Sequence, residues 1–431
     1  MSLYSDVKSF CEGLVIDTSD METSCGEIAK KLNAHYYDLT NEKSEHVLIV
    51  GSVGRNTAIK KTSDLDIIFD LPISVYTRFN NYDSNGQSSL LQEVKGVLQE
   101  RYPNTDISGD GQVVVIAFSS YTVELVPAFK QSDDRYKYPD THDGGSWKFT
   151  DPITEQNECE NANSLSVGNY YNFCRMLRKW KNNCGVAMGG LLIDTLVYNH
   201  FCDNSYYSEE SYSGYYDMLK DLMKYLKGLN KDQAYWLAVG SNQHVDNKDN
   251  GSFVNKAKTA YNNLDTCETD DEKYEALQKV FGSDFQNSTV KASRSYSAST
   301  YKNTEEFIES YVPVDIRYNL RIDCKVTQNG FRDFILSTVL RRGGFLQHRK
   351  SLSFFIESTN APQPYSIYWK VCNVGDEAKR RDCIRGEIIR NANSSKYEHT
   401  DFYGNHFVEC YIIKDGVCVA RDRITVPIGR V

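Results

Sequence analysis

The sequence predicts an α+β protein with a mixed-sheet core, a helical part that follows it, and a β-rich C-terminal domain. Strand-like and helix-like runs alternate over residues 46–130, whereas helical periodicity dominates from there to residue 281. Period-two runs of β-branched and aromatic residues then fill the last hundred or so residues. Between the helical and β-rich parts, residues 283–303 are poor in large apolar side chains and have the composition of a linker.

The apolar pattern of the first part predicts a helical N-terminus over residues 1–45 and a polar loop from Asp133 to Pro152. Leu90, Leu91 and Val94 form one apolar stripe of a helix at 88–101. Strands are predicted at 46–50, 65–71, 113–118 and 121–129, and the last two are expected to pair as a hairpin.

In the second part, the periodicity predicts a long helix from about Asn161 to Lys181. Further helices are expected at 190–202, 214–228, 252–265 and 271–281, and β-like runs at Ser351–Ser358, Ser366–Asn373, Phe407–Lys414 and Val417–Pro427. Asp415-Gly416 between the last two runs is a strong hairpin signal. The predicted domains are a core at 1–155, a helical domain at 156–282, a linker at 283–310 and a β-rich domain at 311–431.

Composition narrows the class of protein. The chain has 431 residues and a formal charge of −9, which argues against nucleic acid as the main partner and against activation by DNA. There is no run of about 18 apolar residues and no signal-peptide pattern at the start, so we expect no membrane span and a cytoplasmic location. The 12 cysteines contain no Cys-x-x-Cys pair, which favours free thiols over a zinc site.

The strongest local signal is a small-residue turn followed by an acidic strand. Gly51-Ser52 follows a predicted strand, and Asp64-Leu65-Asp66 opens the next one. Residues two apart in a strand point to the same side, so the two aspartates are expected to project together. Like charges this close require a cation, and Mg²⁺, with Mn²⁺ as an alternative, takes oxygen ligands together with substrate phosphates.

Glu124 is the candidate third ligand. It is the one acid in the apolar run Tyr121–Phe129, where an unpaired charge is costly. The predicted hairpin brings it beside Asp64 and Asp66, which completes a set that suits two metal ions. At the turn, backbone N–H groups of Gly51 and the hydroxyl of Ser52 are available to phosphate oxygens.

Each piece also has a plain structural interpretation. Gly-Ser dipeptides are common, and an Asp-x-Asp pair often marks a solvated strand end. The three pieces in order, each at a strand terminus, are more specific than any one alone.

These residues resemble a known family. Gly51-Ser52, Thr57-x-Ile59, Ser63-Asp64-x-Asp66 and Val123-Glu124-Leu125-Val126-Pro127 are similar to the motifs of polymerase-β-like nucleotidyltransferases. The branch they resemble is that of the CD-NTases, bacterial relatives of cyclic GMP-AMP synthase and oligoadenylate synthase. Many members have aspartate where this chain has Glu124, and both side chains can hold magnesium.

A basic helix extends the resemblance. Arg175-Met-Leu-Arg178-Lys179-Trp180-Lys181 is similar to the helix after the core in that branch, where a basic residue reaches the donor triphosphate. The resemblance assigns that position to Arg178, with Lys181 as a second phosphate ligand and Arg55 as a ligand of base or phosphate. A solvated basic helix face is the alternative interpretation. Relatives often place a serine early in the next helix, whereas Gly189–Asp194 contains none.

The tail resembles the adenylyl/guanylyl and SMODS C-terminal sensor domain, on the runs Tyr368–Ala378, Arg385–Ile388 and His406–Tyr411. Side chains that could line a ligand pocket in it share a polar or aromatic character: Trp369, Arg385, His399, His406 and Glu409. The alternative is that these side chains belong to the core and the ordinary surface.

The resemblance implies a nucleotidyltransferase of bacterial anti-phage (CBASS) defence. Such an enzyme joins nucleoside triphosphates, with ATP the leading candidate, into a cyclic di- or trinucleotide and releases pyrophosphate. It also implies a downstream effector protein as a partner, with an ancillary regulatory protein as a further candidate. Two other functions stay open: transfer of a nucleotide to a protein or small molecule, and an inactive nucleotide-binding regulatory module.

Overall fold

The structure is a computed structural model, and it describes residues 3–61, 64–204, 210–285, 304–328, 330, 332–390 and 392–429. Ser63 of the acidic motif and most of the predicted linker, 286–303, lie outside the described residues.

The core is a seven-stranded mixed sheet with the order β1-β2-β5-β4-β3, extended by β6 on β5 and β7 on β6. β2 and β5 run parallel, and their other neighbours are antiparallel. The strands are β1 (Val47–Ile49), β2 (Asp64–Asp70), β3 (Asp106–Asp110), β4 (Val113–Ala117), β5 (Thr122–Lys130), β6 (Tyr136–Asp140) and β7 (Ser146–Thr150). The predicted hairpin of β4 and β5 is confirmed.

Five helices belong to this part: α1 (Leu3–Leu14), α2 (Ser19–Tyr36), α3 (Gly51–Gly54), α4 (Ile73–Asn80) and α5 (Gly86–Arg101). Apolar side chains of α2 and α5 pack against the inward residues of β2 and β5 in one core cluster. α1 instead packs against the helical part through Val7 and Phe10. The single helical N-terminus predicted over 1–45 is therefore two helices with different packing partners.

The loop predicted from Asp133 to Pro152 is wrong, because β6 and β7 form a hairpin there. Its turn uses Gly144 and Gly145, both with positive φ. Trp147 packs against Tyr76 and Phe129 of the core. The alternating aromatic residues in this polar stretch mark strands with one face on the core.

The second part is helical, with α6 (Pro152–Leu165), α7 (Asn169–Cys184), α8 (Gly190–Cys202), α9 (Tyr215–Gly228), α10 (Ser252–Asp265) and α11 (Asp270–Phe281), and a short ribbon of β8 (Tyr235–Leu237) and β9 (His244–Asp246). The helices predicted from residue 190 to 281 are confirmed. The boundary predicted at 155/156 falls inside α6.

The long helix predicted from Asn161 to Lys181 is wrong, because the chain breaks between α6 and α7. Val167 and Gly168 both have positive φ there. The Ser166 hydroxyl donates to the carbonyl of Ala162 and accepts the N–H of Tyr170. A serine that binds its own backbone in this way competes with helix hydrogen bonds, and the glycine allows the turn.

The C-terminal part forms two four-stranded antiparallel sheets, with the orders β11-β10-β12-β15 and β14-β13-β16-β17. Its elements are β10 (Leu320–Thr327), β11 (Phe334–Ile335), α12 (Leu336–Leu340), β12 (Ser351–Thr359), β13 (Ser366–Cys372), α13 (Asp376–Arg380), β14 (Ile388–Ile389), β15 (Ser395–His399), β16 (Gly404–Lys414) and β17 (Val417–Ile428). Both sheets contribute to one core around Phe354 and Trp369. Asp415 and Gly416, both at positive φ, make the predicted hairpin turn. No helix in the described ranges is long and apolar enough to cross a membrane.

A glycine at the end of α7 controls how closely the helical part approaches the C-terminal domain. Gly185 has φ +64°, and a Cβ added there would lie 2.1 Å from the carbonyl oxygen of Arg421 in β17. We expect Gly185→Ala to lower the free energy of unfolding by about 2–4 kcal/mol, since it adds backbone strain to a steric clash. Denaturant unfolding monitored by circular dichroism measures this change.

Gly96→Ala is the matched control. Gly96 lies exposed within α5, where an added Cβ meets nothing within 4 Å. This substitution should raise the free energy of unfolding by about 0.5–1 kcal/mol. Equal stability of Gly185→Ala and the parent chain would contradict the close packing described here.

Candidate functional site

Three carboxylates meet where β2 and β5 run side by side. Asp66 lies directly opposite Glu124 in the parallel register, and Asp64 lies opposite Thr122. The intervening residues Leu65 and Val123 are fully buried in the core. The acids therefore share the other side of the sheet, in the arrangement that the spacing of the two aspartates predicts.

The electrostatic environment of these acids disfavours negative charge. Burial and the neighbouring charge of Asp64 raise the pKa of Asp66 to about 6. Burial, together with Asp66 and Asp64, raises the pKa of Glu124 to about 7. Carboxylates whose ionised forms repel each other in a partly desolvated place are stabilised by a cation.

The donor chemistry of this set suits a hard divalent ion, since all three side chains offer oxygen ligands. The carboxylate of Asp64, however, already has partners at both oxygens. Its Oδ1 accepts the Thr122 hydroxyl at 2.8 Å, and its Oδ2 contacts the guanidinium of Arg317. Within the described part of the chain, no three His, Cys, Asp or Glu side chains are gathered in a ready-made metal cage.

The turn after β1 brings backbone next to the acids. Gly51 has φ +64°, and a Cβ on it would lie 1.8 Å from Oδ2 of Asp66. Only glycine fits this position, because any side chain would displace the carboxylate. The carbonyl of Ser52 accepts the backbone N–H groups of Thr57 and Ala58, at 2.9 and 3.0 Å, which fixes the path of the chain after the turn.

An open cleft of about 570 Å³ lies in front of the acids. Residues from all three parts of the chain border it. The core provides Gly51, Ser52, Arg55, Asp64, Asp66 and Glu124, the helical part provides Arg178, Lys181 and the Ala187–Leu191 stretch, and the C-terminal part provides Asp315 and Arg317. The structure thus brings every metal-binding and nucleotide-binding residue predicted from the sequence to one cleft.

Two of the predicted phosphate ligands are engaged in a buried ion-pair network around Asp194. Arg178 binds both oxygens of Asp194, at 2.5 and 2.9 Å, and Arg55 binds Oδ2 at 2.9 Å. Burial favours the neutral acid, but Arg178 and Arg55 outweigh it and hold the pKa of Asp194 below its ordinary value. Glu155 adds a second acceptor for Arg55.

This network joins three elements that border the cleft. Arg55 follows α3, Arg178 lies in α7 and Asp194 lies in α8. Thr57 also donates to Asp194, at 3.0 Å. The terminal nitrogens of Arg178 further donate to the carbonyls of Cys174 and Gly190, which leaves mainly its Nε–H for other acceptors. The arginines thus anchor the turn at Gly51 to the helices.

Lys181 lies at the cleft but pairs with the C-terminal part. Its ammonium donates to Oδ1 of Asp315 at 2.7 Å, and Oδ2 of Asp315 accepts Nε of Arg317 at 2.7 Å. Burial favours protonation of Asp315, but Lys181 and Arg317 dominate and hold its pKa well below the ordinary value. Lys181, Asp315, Arg317 and Asp64 therefore form a line of alternating charges across the cleft.

Sequence reasoning missed four charged residues of the cleft: Lys61, Lys248, Asp315 and Arg317. Lys61 is the second residue of a Lys60-Lys61 pair and Lys248 is a single lysine in a polar stretch, and neither has a spacing signal. Asp315 and Arg317 belong to the segment just before β10, and nothing local to it indicates contact with β2, more than 240 residues earlier. An Asp-x-Arg pair after a linker is the one available hint, and it is weak.

The candidate pocket residues of the tail do not converge. Trp369 and Glu409 are buried, and the indole of Trp369 donates to the carbonyl of Asn393 at 2.9 Å. His406 is also buried, against Phe402. Arg385 pairs with Glu398 at 2.6 Å, and His399 is exposed on β15. The interpretation as core and ordinary surface therefore describes these five side chains.

Comparison with known proteins agrees with this geometry. Residues 1–163 match the Second Messenger Oligonucleotide or Dinucleotide Synthetase domain, and residues 302–429 match the Adenylyl/Guanylyl and SMODS C-terminal sensor domain. A probable cyclic nucleotide synthase of Bacillus cereus strain VD146 is 23% identical over 277 residues, which cover 56% of this chain and 82% of that protein.

Among solved structures, CdnC of E. coli MS115-1 with ATP has a TM-score of 0.51 at 16% identity, covering 66% of this chain and 99% of that one. The same CdnC in complex with HORMA-deltaN has a TM-score of 0.50, also at 16% identity, covering 66% and 98%. These likenesses support the polymerase-β-like fold. The chain therefore belongs to the bacterial CD-NTases, nucleotidyltransferases that synthesise cyclic oligonucleotides, and carries the sensor domain of that family at its C-terminal end.

Proposed function

We propose that this enzyme joins nucleoside triphosphates into a cyclic di- or trinucleotide by a two-metal mechanism, as a second messenger in anti-phage (CBASS) defence. The observation that carries the proposal is the register of β2 and β5, which sets Asp66 opposite Glu124 beside Asp64, in front of the turn at Gly51. ATP is the first substrate to test, and the related E. coli CdnC was solved with ATP.

Each residue has a role in this proposal. Asp64, Asp66 and Glu124 would hold two Mg²⁺ ions, for which Mn²⁺ could substitute. Metal ions held there would supply stabilisation of the charge that develops on the attacking ribose oxygen and on the leaving pyrophosphate. Gly51 and Ser52 receive the donor phosphates, since the missing side chain at 51 leaves the backbone accessible.

In the proposed step, Glu124 or Asp66 accepts the proton of the attacking ribose hydroxyl. The ribose oxygen then bonds to the α-phosphorus of the donor, and the bond from that phosphorus to the pyrophosphate oxygen breaks. A second such step between the ends of the linear product closes the ring.

The basic residues of the cleft compensate the triphosphate charge. Lys181 and Lys248 are suited to bind phosphate as point charges. Arg55 and Arg178 add positive potential, and through Asp194 they keep the turn at Gly51 against the helices. The product is expected to act on a downstream effector protein. A HORMA-type regulator, as in the E. coli CdnC complex, is a candidate ancillary partner.

The reaction is tested with labelled triphosphates, Mg²⁺ and purified protein, followed by phosphatase treatment and mass spectrometry of the resistant product. We expect Asp64→Ala/Asp66→Ala to lose at least about 1,000-fold in product, since metal-borne charge stabilisation is worth several kcal/mol. Asp70→Asn at the opposite end of β2 keeps its acceptor for the N–H of Lys130 and should retain activity.

Undiminished product from the double variant would refute the assignment of the carboxylates. A labelled product that forms only when a protein or small-molecule acceptor is added would instead favour nucleotide transfer to that acceptor. Binding of triphosphates without turnover would favour a regulatory module.

The carboxylates also predict a pH dependence of stability without metal. Asp66 and Glu124 have folded pKa values of about 6 and 7, above their ordinary values of 3.8 and 4.5. At a pH between the ordinary and the folded pKa of each acid, the folded chain binds more protons than the unfolded chain. The contribution of the protonated acids to stability is therefore lost as the pH rises from about 4 through 7. Mg²⁺ must displace those protons, so it should stabilise the fold more at pH 8 than at pH 5.

Denaturant unfolding at pH 5 and pH 8, with EDTA or with Mg²⁺, measures both effects. Asp66→Asn/Glu124→Gln keeps the shape of the side chains without their charge, and it should remove most of the difference. Equal stabilisation by Mg²⁺ in this variant and in the parent chain would contradict a metal site at these acids.

A further inference from the structure

A segment of the C-terminal domain enters the catalytic cleft. Residues 313–318 run beside β17, where the carbonyl of Pro313 accepts the N–H of Cys418 at 2.9 Å. The N–H of Arg317 donates to the carbonyl of Val419 at 2.8 Å. These backbone bonds make the 313–318 segment move with the C-terminal domain.

The same segment is also fixed to α7. The Asn182 side chain donates to the carbonyl of Val314 at 2.7 Å and accepts the N–H of Ile316 at 3.2 Å. Lys181 next to it binds Asp315. From this double attachment Arg317 extends across the cleft to Asp64 on β2, so its side chain links the C-terminal domain to the core sheet.

At Asp64 the guanidinium takes an oxygen that a metal ion would use. Oδ1 is held by Thr122, and Oδ2 contacts Nη2 of Arg317. The guanidinium takes one acceptor direction of Oδ2 and fills the space beside it, and a divalent cation brought to the same oxygen would be repelled by the positive charge of Arg317. The positive charge of Arg317 also acts on Asp66 and Glu124, whose negative charges it partly offsets.

We propose that Arg317 is a tethered competitor of the divalent cation at Asp64, and that the C-terminal domain uses it to hold the catalytic site inactive. The inference rests on the proposed function of the three carboxylates and names how that site is regulated. Arg317 releases Asp64 when its side chain turns away or when the 313–318 segment shifts relative to β2. Asp64 then becomes free to join Asp66 and Glu124 as a ligand.

The contact is suited to a reversible switch. The side chains of Arg317 and Asp64 are 37% and 21% exposed, so the pair is neither fully desolvated nor fully solvated. Pairs in such surroundings contribute modestly and can open. Asp315 retains Arg317 through Nε after Asp64 is released, so the guanidinium does not need to lose all its partners.

The test measures the affinity of the full chain for Mn²⁺ without nucleotide. Electron paramagnetic resonance or water-proton relaxation detects the bound Mn²⁺. Arg317→Gln should bind Mn²⁺ about tenfold more tightly than the parent chain or better, and Arg317→Lys, which keeps the charge on a shorter stem, should fall between them. Arg321→Gln is the matched control, because Arg321 lies four residues on, is 61% exposed and pairs with Glu357. It should bind Mn²⁺ like the parent chain.

Nucleotide turnover provides a second readout. At limiting Mg²⁺, Arg317→Gln should form more product than the parent chain, and the difference should vanish at saturating Mg²⁺. Unchanged Mn²⁺ affinity in both Arg317 variants, with normal thermal melts, would overturn the proposal. So would a raised KM for the triphosphate at saturating Mg²⁺, which would make Arg317 a substrate ligand.

The two proposals fail in different ways. Tighter Mn²⁺ binding by Arg317→Gln, abolished again in Arg317→Gln/Asp64→Asn, supports the competition even if no triphosphate is consumed, and in that case the proposed reaction falls. Cyclic product from an Arg317 variant whose Mn²⁺ affinity equals that of the parent chain leaves the reaction intact and refutes the competition.

Discussion

Repulsion between side-by-side carboxylates is the constraint on which the rest of this site depends. The parallel register of β2 and β5 sets Asp66 against Glu124, with Asp64 two residues away, and their partial burial raises the pKa values of Asp66 and Glu124. A fold that assembles such a set must supply positive charge to it. In this chain two sources serve that need: the divalent ions proposed for catalysis, and Arg317 from the C-terminal domain.

Contacts from all three parts of the chain hold the two sides of the cleft. The network of Asp194 with Arg178 and Arg55 joins the turn at Gly51 to α7 and α8, so the side of the cleft that contains Gly51 has a fixed shape. The opposite side is formed by Asp315 and Arg317. Backbone hydrogen bonds to β17 attach their segment to the C-terminal domain, and the Asn182 side chain attaches it to α7. The C-terminal domain and the proposed catalytic site thus share one row of charges.

The parts of the fold and site that the sequence predicts are those whose interacting residues lie close together in the sequence. Local signals predict Gly51, the aspartates and Glu124, because strand periodicity and turn type depend on neighbouring residues. The break at Gly168 is not predicted because helical periodicity continues on both sides of it. The local signs of the break are the Ser166 hydroxyl, which bonds to its own backbone, and the glycine. The β6–β7 hairpin was hidden by its polar composition, although its aromatic residues alternate.

The pairing of Arg178 with Asp194 and of Arg317 with Asp64 was beyond prediction for a different reason. The sequence pattern of a basic residue near a phosphate site is the same whether that residue binds substrate or a buried acid. For Arg178, the packing of α7 on α8 decides between these roles. Arg317 contacts Asp64 because the C-terminal domain packs against the core, and the periodicity of the sequence does not predict how these domains pack. For the tail, the sequence left two interpretations open, a ligand pocket or core and ordinary surface, and the burial of Trp369 and Glu409 favours the second.

One measurement addresses the central claim most directly: anomalous diffraction from crystals of the full chain grown with Mn²⁺ and a non-hydrolysable ATP analogue. The account predicts two anomalous peaks bounded by Asp64, Asp66 and Glu124, with the guanidinium of Arg317 withdrawn from Asp64 and still beside Asp315. Density for the analogue with no anomalous peak at these carboxylates would contradict the metal site. Two peaks with Arg317 still bound to Asp64 would contradict the competition between them.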